Sequence, residues 1–156
     1  MSHIQRLATF AEIEADFIER AHALVWCNAA TVDQQQRPRS RVLHPIWEGA
    51  TGWITTRRNS PKIGHLQTNP HLSLAYVAEP FKPVYVECRA TWNGDFATRQ
   101  RIWALLRATP EPLGFDPVLT WGDIADPENG LLQLTPWRIE VSDFSGPPVT
   151  KIWQSG

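Results

Sequence analysis

Between Gly52 and Tyr76 the chain reads GWITTRRNSPKIGHLQTNPHLSLAY, a run that sets hydroxyl and cationic side chains around the start of a short helix. Ser60 suits the N-cap, Pro61 suits the first helical position because its missing N–H is no loss there, and Lys62 follows in the first turn. A helix start carries unpaired N–H groups and the positive end of the helix dipole, so it attracts anions. Arg57, Arg58 and Lys62 add positive charge around that point, and Thr55, Thr56 and Ser60 add hydroxyl donors. The chemistry these types suit is the binding of a phosphate. A Ser-Pro start also serves as a plain cap, and this segment alone leaves both roles open.

The elements that must position these groups follow from periodicity. Trp53-Ile54-Thr55 and Leu72-Ser73-Leu74-Ala75-Tyr76 alternate as half-buried strands do, and Asn69-Pro70 breaks the chain before the second of them. Upstream, Thr9 with Glu12 makes a capping-box pattern, and Phe10, Ile13, Phe17, Ala21 and Leu24 share one face of a helix that runs to His22. Leu24 to Val32 and Ser40 to Trp47 read as two strands of a hairpin around the polar turn Asp33 to Pro38, and Glu48 to Gly52 turns into the next strand. Downstream, Pro80 and Pro83 precede a strand over Val84 to Trp92 that Asn93-Gly94 ends. Asp95 caps a helix through Arg107 that buries Phe96, Ile102, Trp103 and Leu106, and Pro110, Pro112 and Pro117 make the following stretch irregular. A last strand over Leu131 to Phe144 is interrupted by Pro136. Six strands with flanking helices and short antiparallel connections point to a mainly β fold, a small six-stranded antiparallel barrel, rather than a doubly wound sheet.

Composition excludes several classes of function. A chain of 156 residues with 42% hydrophobic and 20% charged residues suits one domain, residues 1–156, with a packed core. A formal charge of −1 gives no general pull toward nucleic acid or anionic lipid. Met1 to Arg20 lacks the apolar core of a leader and no run is long enough to cross a bilayer, so a soluble cytoplasmic protein is expected. Cys27 and Cys88 lie in strand-like runs without metal-ligand spacing and read as buried free thiols. The five histidines are scattered, which speaks against a metal site. No GxGxxG, P-loop, GxSxG or HExxH is present.

The order Ser40-Arg41-Val42-Leu43-His44-Pro45-Ile46-Trp47, Trp53-Ile54-Thr55-Thr56, Ser60-Pro61-Lys62, then Leu66-x-x-Asn69-Pro70-x-Leu72-Ser73-Leu74 resembles the pyridoxamine 5'-phosphate oxidase-like FMN-binding split β-barrel superfamily. The resemblance spans most of the chain. It implies that Arg41 is the strand arginine aimed at the flavin phosphate, that Ser60 and Lys62 are the phosphate-binding Ser-x-Lys, and that Thr55 is the hydroxyl residue of the intervening strand. Thr56 and Pro61 fall within the same site, and backbone groups of Val42, Leu43 and His44 would lie along the isoalloxazine ring. The charges agree with this, since a phosphate with nearly two negative charges suits Arg41 and Lys62 beside a helix start. A homodimer with the cofactor where two subunits meet is also implied.

Departures from the pattern narrow the expectation. The oxidases proper carry an Arg-x-His near the C-terminus; here the comparable region is Gln133 to Phe144 and holds none, and Ile46 stands at a lysine-like strand position. The resemblance is therefore to the short relatives that use FMN or the deazaflavin coenzyme F-420, with hydride or electron transfer at the ring and no side chain required as acid or base. Eight tryptophans exceed what core filling usually uses, and Trp47, Trp121 and Trp137 are candidates for a pocket holding a small flat substrate. A non-catalytic flavin-binding or stress protein is the main alternative. A haem-handling relative, using His44, His65 or His71, ranks third. The Arg57-Arg58 pair suits a second anionic group, such as a nicotinamide-nucleotide phosphate or the acidic tail of the deazaflavin, or a plain solvated surface.

Overall fold

The computed structural model describes residues 3–156, so Met1 and Ser2 of the segment read as lacking a leader lie outside it. The element order is β1 (His3–Leu7), α1 (Ala11–Leu24), β2 (Cys27–Val32), β3 (Pro38–Leu43), β4 (Ile46–Glu48), β5 (Thr51–Arg57), α2 (Pro61–Thr68) and β6 (His71–Tyr76). Then come β7 (Val84–Trp92), α3 (Phe96–Ala108), α4 (Pro117–Trp121), β8 (Asn129–Asp143) and β9 (Val149–Gln154). The fold is mainly β with flanking helices, as the alternation of apolar residues requires.

The strands form one mixed sheet of nine rather than six, ordered β1-β9-β8-β7-β6-β2-β3, with β5 on β8 and β4 on β5. Hydrogen bonding does not close it. The 15-residue β8 is the spine, pairing β5 and β7 along its first half and β9 and β7 along its second. Pro136 does not end β8. Cys88 pairs with Pro136 and Glu87 with Arg138, so Trp137 is the extra residue of a bulge that absorbs the missing donor. β1 and β9 carry no strong alternation and pair in parallel across nearly the whole chain, which is why local periodicity passes over them.

Local signals account for the helices. α1 buries Ile13, Phe17 and Ala21 against the sheet, and Glu12 accepts from the Thr9 backbone N–H at 2.8 Å, although Phe10 rather than Thr9 is the N-cap. α1 extends to Leu24. There Val25 takes φ +67° and ψ −59°, and the Trp26 N–H donates to the Leu24 carbonyl at 2.7 Å, a γ-turn of the rare hand. The expected strand from Leu24 thus starts at Cys27. The long strand expected over Ser40 to Trp47 is likewise divided between β3 and β4, because Pro45 lies at the break and cannot donate to a ladder.

Two apolar cores result. The larger one lies under α1 and contains Phe17, Leu74, Tyr76, Val86 and Leu134; the smaller one lies under α3 and joins Ile46, Trp53, Ile102, Leu106 and Leu131. Asp95 caps α3 by accepting from the Thr98 N–H at 3.0 Å. Ile102, Trp103 and Leu106 are buried on α3, whereas Phe96, expected inside, is 43% exposed on its first turn with Arg99 over its ring. The proline-rich stretch is irregular up to Asp116 and then makes the short α4. Cys27 and Cys88 are buried free thiols. No helix among the described residues is long and apolar enough to cross a membrane.

Candidate functional site

A cleft of about 650 Å³ opens between the end of β3, the middle of β5, the start of α2 and the segment from Glu111 to Trp121. That volume lies in the range of small-molecule and cofactor sites. Val42, Leu43 and His44 line it from β3 and its end, Ile54, Thr55 and Thr56 from β5, and Lys62 from α2. Residues 20 positions apart meet here because the β4–β5 hairpin folds β5 back beside the β3–β4 break.

The phosphate groups gather at one end. Ser60 occupies the N-cap of α2 with extended φ −73° and ψ 149°, but its hydroxyl makes no capping bond; instead it accepts from the Lys62 ammonium at 3.0 Å. Arg41 is held from behind. Its Nη1 donates to the carbonyls of Ala29 and Arg39 at 3.1 and 2.9 Å, and its Nη2 lies 3.4 Å from His65 Nδ1, which also takes the Thr31 hydroxyl at 2.9 Å. Burial, then the nearby Arg41 charge, lowers the Lys62 pKa; burial, then Arg39, lowers that of Arg41. Among the described residues neither cation makes an ion pair, whereas seven other Arg or Lys residues do. Two half-buried, unpaired positive groups beside a helix start fit a phosphate dianion.

Arg57 and Arg58 do not join them. Arg57 pairs with Asp126 at 3.1 Å and donates to the Trp121 carbonyl, and Arg58 stacks 4.7 Å over the Trp92 ring. Both cations are spent on the loop after α4 and on β7, away from the α2 start.

The three tryptophan candidates separate. Trp121 lines the cleft, its indole N–H donating to Thr55 Oγ1 at 3.0 Å. Trp47 is 4% exposed in the larger core, edge-on to Phe17 at 4.8 Å and donating to the Tyr76 hydroxyl at 3.0 Å, so it does not face the cleft. Trp137 is the bulge residue of β8 and is not among the residues lining the cleft. Alternation on a short strand could not tell Trp47's core face from a ligand face.

Sequence reasoning passed over the opposite wall. Trp26, Glu111, Pro112, Gly114, Phe115 and Thr120 complete the lining. The irregular stretch that carries Glu111, Pro112, Gly114 and Phe115 is fastened by His44, whose Nε2 donates to the Leu113 carbonyl at 2.6 Å. His44 also sits between two rings, 5.7 Å from Trp26 and 5.3 Å from Phe115. Burial lowers its pKa. His44, His65 and His71 do not converge, and no group of three metal-ligating side chains occurs among the described residues.

The family whose description is "Pyridoxamine 5'-phosphate oxidase" matches residues 14–111, more than half of the chain and all of β2 to α3. The chain belongs to that family. Solved structures share the family's fold. A pyridoxamine 5'-phosphate oxidase-related, FMN-binding protein from Nostoc punctiforme is 18% identical, with 91% of this chain and 88% of that one covered and a TM-score of 0.64. A protein related to general stress protein 26 from Clostridium acetobutylicum is 13% identical, with 89% and 93% covered and a TM-score of 0.69. An F420 reductase is 13% identical, with 74% and 88% covered and a TM-score of 0.52. At these identities the likeness is one of fold. No curated protein matches the sequence.

Proposed function

We propose that this family member binds FMN in the cleft and acts as an FMN-dependent oxidoreductase on a small substrate. The observation that carries the proposal is the pair of cations without an ion-pair partner among the described residues, Arg41 and Lys62, with the Ser60 hydroxyl, which makes no capping bond and accepts from Lys62, at the start of α2. Arg41, Ser60 and Lys62 would hold the phosphate by charge-assisted hydrogen bonds, with Pro61 setting the helix start. Thr55 and Thr56 would flank the chain between phosphate and ring, and Val42, Leu43 and His44 would lie along the ring. Bound FMN supplies hydride or electron transfer, and the protein supplies orientation, electrostatics and exclusion of water. Trp121, pinned by Thr55, is the remaining tryptophan candidate for the substrate side.

Coenzyme F-420 is the second reading, supported by the fold likeness to an F420 reductase. The engagement of Arg57 and Arg58 elsewhere favours FMN, because the cations that could meet an acidic tail are already taken. A second copy of the chain completing the site is supported by the 51% exposure of Trp26 and 61% exposure of Val42 at the mouth of the cleft. Free buried thiols suit a cytoplasmic setting.

The test is a visible spectrum of the purified protein with titrations of FMN and F-420 against wild type, Lys62→Ala and Arg41→Ala. FMN binding weakened roughly tenfold or more by either substitution is expected, since hydrogen bonds to charged groups contribute about 1.5 to 3 kcal/mol. Binding of neither cofactor would reduce Ser60 to a plain cap. Pyridoxamine 5'-phosphate is not the expected substrate, and oxygen consumption with it at a useful rate would contradict that expectation.

A further inference from the structure

The Trp26–His44–Phe115 wall is too specific an arrangement to be core filling. Trp26 is half exposed, yet the backbone that presents it passes through Val25 at φ +67°, a conformation β-branched residues rarely adopt. Such local strain persists only where the surroundings over-determine it. His44, between the two rings, has a defined tautomer. A carbonyl oxygen only accepts, so the 2.6 Å contact with Leu113 places a proton on Nε2, and the neutral ring then offers a lone pair at Nδ1. Among the described residues Nδ1 has no hydrogen-bond partner, the atom keeps some solvent exposure, and His44 lines the cleft.

Position sets what can reach it. His44 directly follows β3, three residues beyond Arg41, and lines the same cleft as Trp26, Phe115 and Lys62. From these positions we infer that His44 determines the ligand class of this site: a planar aromatic ring that stacks along Trp26 and Phe115 and donates an N–H or O–H to His44 Nδ1. The inference rests on the flavin reading only for which ring supplies the donor, the cofactor's own ring N–H or a phenol-like or heteroaromatic substrate beside it.

Calorimetric titration with 2-naphthol and with 2-methoxynaphthalene, equal in ring and differing in the donor, tests this on protein with and without FMN. The naphthol is expected to bind about threefold to tenfold tighter to wild type at neutral pH, the range a single hydrogen bond supports. His44→Phe should remove that preference while keeping affinity for the methyl ether, and Trp26→Ala should weaken both ligands alike. The wild-type protein provides a control that needs no variant. Lowering the pH through the depressed His44 pKa puts a proton on Nδ1, and the preference should vanish; Lys62 and Glu111 are the other charged groups that line the cleft. Equal affinity of the two probes for wild type, or a preference that survives in His44→Phe, would overturn the inference. A preference lost on loading FMN assigns the donor to the cofactor, and one retained assigns it to the substrate. Failure of FMN to bind at all, with the naphthol preference intact, would refute the flavin reading and leave this one standing.

Discussion

The indole N–H of Trp121 donates to Thr55 Oγ1 at 3.0 Å, while the Trp121 carbonyl accepts from Asn129 Nδ2 at 3.0 Å and Arg57 Nη2 at 3.3 Å. One residue is thereby held at both ends, its side chain to β5 and its backbone to the start of β8 and the end of β5. Thr55→Val removes the acceptor and keeps the shape of the side chain. The expected result is a stability loss of about 1 kcal/mol and a severalfold loss of FMN affinity, with altered tryptophan emission. Unchanged affinity and emission in calorimetry and fluorescence would show that the Trp121 clip does not shape the site.

Tyr76 is fully buried and its hydroxyl accepts from Trp47 Nε1 at 3.0 Å, while burial raises the phenol pKa so that it stays neutral. Tyr76→Phe leaves the Trp47 N–H unsatisfied inside the larger core. Urea denaturation should show a loss of about 1 to 3 kcal/mol. In a cycle with Trp47→Phe the losses should be less than additive, because the second change removes the orphaned donor.

Gly114 sits where the chain folds back under the α3 end: its N–H donates to the Pro110 carbonyl at 2.9 Å, and the next N–H, of Phe115, donates to the Leu106 carbonyl at 3.0 Å. A Cβ here would collide with the carbonyl oxygens of Thr109 and Leu106, which are backbone and cannot swing aside. Gly114→Ala should therefore displace the Leu113–Phe115 segment, costing on the order of 2 kcal/mol and weakening any ligand of the cleft. Retention of both thermal stability and ligand affinity would contradict the packing described.

Half-burial lowers the pKa of His22, whose Nε2 accepts from the Trp47 backbone N–H at 3.0 Å and must be unprotonated to do so. A depressed histidine pKa means that the unfolded chain binds the proton first. The stability this contributes is present above the ordinary value of 6.5 and declines as pH falls below it, until the lower folded pKa is passed. His44 acts in the same direction. Denaturation measured from pH 7.5 to 5 should show falling stability, and His22→Gln, which keeps an acceptor without a titrating ring, should flatten the slope. A slope unchanged in that variant would place the pH dependence elsewhere.

Elements whose signal is local were legible in the chain. The buried face of α1 follows from Ile13, Phe17 and Ala21, the start of α3 from Asp95 and Thr98, and β6 and β7 from simple alternation. The Ser60-Pro61-Lys62 helix start was legible too, although Ser60 was expected to cap and instead takes the Lys62 ammonium. These features depend on neighbours within a turn or two, and periodicity carries that information.

Partners brought from far along the chain were not legible. β1 and β9 form only by pairing across the molecule, so neither shows itself alone. Arg57 looks like an anion ligand until Asp126, 69 residues away, is folded against it. Trp47 and Trp121 are alike in sequence terms, yet one packs on Phe17 and the other on Thr55. By itself the sequence determined the residue types at the phosphate end, the family pattern and the faces of most elements. Only the tertiary structure decided which cations stay unpaired, which tryptophan meets the cleft and that His44 stands between Trp26 and Phe115, because those outcomes depend on which distant side chains compete for each group.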